Sequence, residues 1–451
     1  MTKIFGGRPH KSEGALKYLW LLYLPLLYLP NLGFAKATTF GTLEFSDYLI
    51  GPYIALLLFS IRKRNRMQVD FIIPILCLFF LWATLSTLLI DFRYGYSDSH
   101  FIIFGMLKLF KMTLYGLAGI LTIKALNQRD KKIWYNWSLL ACAIFVSVSL
   151  VMSIGTTGEI SSYHVMIDQT ITGYKASNVI SAMMAMLLCS LAGLWITRQG
   201  SSRWLRAMVF AFVFIIAGFT LSQGRGGWIA ALAGLLYLLY KIRINRRVFI
   251  SICALFALCF AAYHYFPNFS YEVDKTLYPD QYLMERYQYG IFGVDEGGRL
   301  RYFLKEASKM IKAPVFGTGF FHRGFEFSKS SLDEVGSHNF WLQMFLETGI
   351  VGGGLVLLIF WRMWRQAVFL ERKGEKLAIA VQSAFVAAFV GGMSGEYFYG
   401  GIALFTLFIV YAPIGSLPYK KVKPQVRLLF SNLKHARQCP DEAKPSPEAP
   451  K

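Results

Sequence analysis

Residues 204–241 read WLRAMVFAFVFIIAGFTLSQGRGGWIAALAGLLYLLYK, two apolar runs, 204–222 and 226–241, parted by a break containing a single charge, Arg225. About 20 predominantly apolar residues cover a bilayer as a helix, so the pair reads as a helix, a tight turn and a returning helix. Runs of this kind recur near 16–35, 47–61, 71–89, 101–124, 134–155, 179–197, 247–263, 339–361, 376–397 and 399–416. Over 451 residues the chain is 55% hydrophobic and 16% charged, whereas soluble domains carry about 25% charge. Surface this apolar must face lipid. The expected fold is therefore an all-α polytopic membrane protein of about twelve helices. The first run is rich in Leu, Tyr and Pro with no small-residue cleavage site after it, so it is expected to be retained rather than removed as a signal.

The 47 basic and 26 acidic residues leave a formal charge of +21, a balance that fits nucleic acid until its distribution is considered. The basic residues gather in alternate breaks: Arg62, Lys63, Arg64 and Arg66; Arg129, Lys131 and Lys132; Arg198, Arg203 and Arg206; Lys241, Arg243, Arg246 and Arg247; Arg362, Arg365, Arg372 and Lys373. Such alternation is the positive-inside pattern, so the excess charge faces the cytoplasm and no nucleic-acid partner is expected. An even helix count leaves both termini inside. Residues 1–263 then hold helices one to nine, 264–338 form one large periplasmic loop, 339–416 hold helices ten to twelve, and 417–451 form a basic cytoplasmic tail expected to be disordered and to meet membrane lipids. Cys77, Cys142, Cys189, Cys253 and Cys259 lie in apolar runs and Cys439 lies in the tail, so neither a disulfide framework nor a metal pattern is expected.

Within the loop, Leu300, Phe303, Leu304, Ala307 and Ile311 recur at helical spacing opposite Arg301, Lys305, Lys309 and Lys312, which predicts an amphipathic helix stopped by Pro314. Three places could carry chemistry. At the start of the helix from 226, Arg225 stands between Gly224 and Gly226-Gly227; a helix N-terminus attracts anions, glycine lets a ligand approach the backbone, and a guanidinium grips two phosphate oxygens at once. An arginine at such a boundary also snorkels to headgroups in the ordinary way. Arg299 and Arg301 open the loop helix, where a cation opposes the dipole, ahead of the Gly317-Thr318-Gly319 turn. His338-Asn339 stands at the entrance of the tenth helix, ahead of Gly349 and Gly352; an imidazole there can accept a proton near neutral pH. His264 and His322 are rival bases on the same loop. Lys108, Lys111 and Glu347 are charges inside apolar segments and so functional suspects, although a pairing of either lysine with Glu347 or Glu396 would serve structure alone.

Taken together these stretches resemble the bacterial O-antigen ligase and polymerase superfamily. The resemblance rests on Ser222-Gln223-Gly224-Arg225-Gly226-Gly227-Trp228, on Gly298-Arg299-Leu300-Arg301 leading to Pro314 and Gly317-Thr318-Gly319, and on His338-Asn339 with Gly349 and Gly352. In the ligase branch an arginine commonly stands four residues before a leucine of the loop; here Arg301 precedes Leu304 by three, so Arg299 and Arg301 are carried together. The resemblance implies a GT-C-like membrane glycosyltransferase in the inner membrane with a periplasmic active site. Its donor would be a glycan on undecaprenyl diphosphate and its acceptor a sugar hydroxyl of lipid A-core. His338 would act as general base and Arg225 with Arg299 or Arg301 would hold the diphosphate, supported by Gly224, Gly226 and Asn339, with no metal and no cofactor. A repeat-unit polymerase or a protein O-oligosaccharyltransferase would use the same donor. A lipid or solute transporter is the rival of another class, usually marked by internal repeats, and none is evident.

Overall fold

A computed structural model describes residues 16–28, 36–38, 41–43, 45–61, 68–94, 99–126, 129–157, 177–197, 225–242, 314–320, 339–394, 398 and 401–417. Its described residues up to Leu417 belong to one compact unit. The helices among them are α1 (Leu16–Tyr23), α2 (Phe45–Ser60), α3 (Ile72–Tyr94), α4 (Ser99–Ala125), α5 (Arg129–Thr157), α6 (Ser177–Ile196), α7 (Arg225–Lys241), α8 (Phe340–Arg372), α9 (Leu377–Ser394) and α10 (Ile402–Gly415). They fall on ten of the twelve expected runs; 204–222 and 247–263 lie outside the described residues, as do the predicted loop helix and the basic tail. By length and composition, Ile72–Leu89, Gly105–Ala125 and Phe340–Arg372 could each cross a membrane.

The first run departs from the expected 16–35 helix. After Tyr23 it tightens into a 3-10 turn, Leu24–Tyr28, and a short antiparallel pair follows, β1 (Lys36–Thr38) with β2 (Gly41–Leu43), Lys36 facing Leu43. Pro25 is the reason. It has no N–H to offer the carbonyl four residues back and its ring crowds that carbonyl. The carbonyl so released, Leu21 O, accepts instead from Ser138 Oγ of α5 at 2.7 Å.

The core is built on close approaches that small residues allow. A Cβ on Gly193 of α6 would stand 2.5 Å from Ala380 of α9, one on Gly227 of α7 would stand 2.4 Å from Ser181 of α6, and one on Gly234 of α7 would stand 2.5 Å from Cys189 of α6. Ser383 Oγ of α9 donates to the Gly234 carbonyl at 2.7 Å. These pairings make α6 and α7 parallel, with α9 packed antiparallel against both. The end of α6 and the start of α7 therefore lie at opposite ends of the bundle.

At the far end of α7 the charges close on one another. Lys241 Nζ meets the two Glu371 carboxylate oxygens of α8 at 2.8 and 2.9 Å. Gln382 Nε2 of α9 donates to Glu371 at 2.8 Å and its Oε1 accepts from Tyr237 at 2.5 Å. The ends of α7 and α8 are thus pinned together. The tenth run extends eleven residues beyond its expected end at 361, so Arg362, Arg365 and Arg372 stand on helix and the turn begins only at Lys373.

A broken helix as the candidate functional site

One residue divides α8. Gly349 has φ 68° and ψ −174°, a backbone region open essentially to glycine alone, and the helix reverses there. In an unbroken helix Trp341 and Phe360 would be separated by about 28 Å at 1.5 Å per residue; here their rings lie 4.6 Å apart. Phe345 likewise lies against Gly353, where a Cβ would stand 2.5 Å from its ring. Residues 340–348 therefore form a short arm that folds back along 350–372 into the bundle. Trp341 Nε1 secures it by donating to the Phe389 carbonyl of α9 at 3.0 Å.

A break inside a bundle strands backbone groups that must find partners. The segment 314–320 supplies them. Thr318 N donates to Leu346 O at 2.8 Å, Gly319 N donates to Glu347 O at 2.8 Å, and Pro314 O accepts from Ile350 N at 2.8 Å. Gly317 and Gly319 have φ of 71° and 93°, which the turn needs to aim both amides at the arm. Contact is tight enough that a Cβ on Gly317 would stand 2.5 Å from the Glu347 carbonyl. The third side is α3. Trp82 Nε1 donates to Thr348 O at 2.8 Å, Ser86 Oγ donates to Glu347 O at 3.0 Å and also to Phe316 O, and Phe320 N donates to Thr87 Oγ1 at 3.1 Å. Trp82 stacks on Phe316, with centroids 4.9 Å apart.

The inner end of the arm is capped by Asn339. Its Oδ1 accepts from Leu342 N at 3.1 Å and its carbonyl from Gln343 N at 2.9 Å, the usual N-cap arrangement. Measured along the helices from the Lys241–Glu371 pair, Phe360, level with this arm, lies about 16 Å away, the first residue of α7 about 24 Å and the Gly349 break about 33 Å. Two helix starts, those following Asn339 and at Arg225, thus lie within about two turns of one depth, below the break rather than at it. The expected continuous helix over 339–361 is corrected to one that reverses at Gly349 into this return arm.

Of the sequence-derived candidates, Asn339 and Gly226 are seen in full, Gly226 buried in the first turn of α7, whereas for Arg225 only the backbone is described. Gly224, Arg299, Arg301 and His338 lie outside the described residues, as do His264 and His322. Lys111 pairs with Asp47 of α2 at 2.8 Å, and Tyr115 OH donates to the same carboxylate at 2.9 Å. Glu347, 1% exposed, accepts from Gln343 Nε2 at 2.6 Å. Among the described residues no three of His, Cys, Asp and Glu gather as a metal site would require.

The part of the chain that contains both helix starts is also the part with a known likeness. Residues 210–357 match a family model described as O-Antigen ligase, which bears out the resemblance to the O-antigen ligase and polymerase superfamily and supports a membrane glycosyltransferase of that type. The matched residues take in all of α7, the 314–320 turn and the Gly349 break. No curated protein matches the chain.

Proposed function

We propose that this protein moves a glycan from undecaprenyl diphosphate to a sugar hydroxyl of lipid A-core at the periplasmic side of the inner membrane. The observation that carries the reading is that both helix starts lie below the Gly349 break, within about two turns of each other in depth, inside the residues that match the ligase family. Each start carries the positive end of a helix dipole, which favours an anion nearby. Arg225 begins one of them, and His338 immediately precedes the Asn339 cap of the other.

In this reading Arg225, with Arg299 or Arg301 from the loop, holds the diphosphate. His338 takes the proton of the acceptor hydroxyl while its oxygen attacks the anomeric carbon, and the bond from that carbon to the diphosphate breaks. In this role His338 acts as the neutral imidazole, the form that can accept a proton. Negative charge growing on the leaving diphosphate is met by fixed cations in a site shielded from water, where preorganised donors are worth most. Because the arm returns into the bundle, donor and acceptor would meet below the headgroup plane, and the acceptor sugar would have to reach inward.

The test is transfer by the purified protein from a lipid-linked donor to lipid A-core, following release of undecaprenyl diphosphate. Arg225→Ala and His338→Ala should each lower kcat by about 10²- to 10³-fold. With His338 as the base, wild-type kcat should fall as acid protonates the imidazole. Full activity in well-folded Arg225→Ala protein would remove the diphosphate assignment. A transporter would move donor across a bilayer without releasing undecaprenyl diphosphate. Growth of repeat units on the carrier would make the enzyme a polymerase.

A further inference from the structure

The return arm is held by three residues that lie outside the family-matched region, all on one face of α3. Trp82 and Ser86 stand one turn apart, and Thr87 follows Ser86. Between them they contact Thr348 O and Glu347 O of the arm and Phe316 O and Phe320 N of the turn, all by side-chain hydrogen bonds. Ser86 is buried, 1% exposed, and its one hydroxyl faces carbonyls from both segments. Its position is therefore shared between the loop's end and the arm. A Cβ on Gly105 of α4 would stand 2.6 Å from the Phe320 carbonyl and 3.4 Å from Thr87 Cγ2, so α4 packs closely against the end of the turn where Thr87 holds it.

We propose that Ser86, with Trp82, is a positioning residue for the transfer reaction. It sets the angle of the 340–348 arm and so where residue 338 stands relative to Arg225. The inference rests on the proposed role of His338, but its geometric part stands apart from that role. Without the Ser86 hydroxyl the Phe316 and Glu347 carbonyls both lose their donor on α3, and with it the link that ties turn and arm to one buried side chain. The arm would then sample a wider range of angles about Gly349. A displacement of about 1 Å at a reacting group can cost about 10²-fold in rate.

The experiment measures position and rate separately in the full-length protein. Spin labels at Ile229→Cys on α7 and Leu342→Cys on the arm, with the native cysteines replaced, report their distance by pulsed electron resonance. A control pair at Trp195→Cys and Tyr240→Cys reports the bundle. Ser86→Ala should broaden the arm distance and leave the control unchanged, while Ser86→Thr, which keeps the hydroxyl, should restore the narrow distribution. In the transfer assay Ser86→Ala should lower kcat tenfold or more with donor KM within twofold of wild type, and Ser86→Thr should recover most of it. An unchanged arm distance, or a broadened arm with unchanged kcat, overturns the proposal. If Ser86→Ala broadens both pairs, Ser86 serves the fold at large and the proposal also fails. A wild-type protein that transfers no glycan, yet shows the broadened arm in Ser86→Ala, would defeat the functional reading and leave the geometric inference standing.

Discussion

Gly349 and Gly354 lie five residues apart in one helix, yet their substitution should have opposite effects. At Gly349 an added Cβ would stand 1.9 Å from the Val315 carbonyl oxygen, on a backbone with φ 68°; strain and overlap together should cost about 3 kcal/mol or more. Gly349→Ala should therefore lose both thermal stability in detergent and transfer activity. At Gly354 nothing stands within 4 Å of the added atom, and replacing glycine by alanine inside a helix stabilises by about 0.5–1 kcal/mol. Gly354→Ala should melt at or slightly above wild type with full activity. Equal destabilisation by the two would mean that the helix does not reverse at Gly349. Sequence flagged Gly349 and Gly352 only as companions of His338. The reversal itself was hidden, because a glycine that breaks a helix and one that merely packs in it leave the same letter.

Elements were legible where hydrophobic length decided them and illegible where polar partners did. Every described helix of the bundle coincides with an apolar run, since lipid demands continuous helix across its thickness. The arm, by contrast, exists because carbonyls freed at Gly349 find donors on Thr318, Gly319, Trp82 and Ser86, partners up to 266 residues away in the chain. No local pattern encodes that. The extension of α8 to Arg372 escaped for a similar reason: Arg362 and Arg365 look like a loop until Glu371 is seen to pair with Lys241 across the bundle. That pair is partly exposed, 23% and 21% on its two side chains, so solvent screens part of its attraction. Lys241→Glu should destabilise by about 1–2 kcal/mol, since it sets like charges together and leaves Gln382 to hold Glu371 alone. Lys241→Glu combined with Glu371→Lys should recover at least half of that loss in thermal melting. No recovery would show that the three helix ends are held by packing and not by charge.

For the molecule as a whole, the charge pattern and the contacts make independent statements about sidedness that have to agree. On the positive-inside expectation the Lys241–Glu371 end, with Lys373 and Lys376 just beyond it, would face the cytoplasm. The packing places the Gly349 break and the 314–320 turn about 33 Å further along α8, close to the thickness of a bilayer's apolar core. The end of α7 and the 314–320 turn therefore lie at opposite ends of the bundle. In a cysteine-free background, Lys376→Cys should be modified by a membrane-impermeant maleimide only in inverted vesicles, and Lys275→Cys only in intact spheroplasts. Modification of both from one side would turn the loop carrying Arg299 and Arg301 toward the cytoplasm. The loop arginines would then be on the wrong side of the bilayer for a glycan presented at the outer leaflet, and a reaction there would need another source of positive charge.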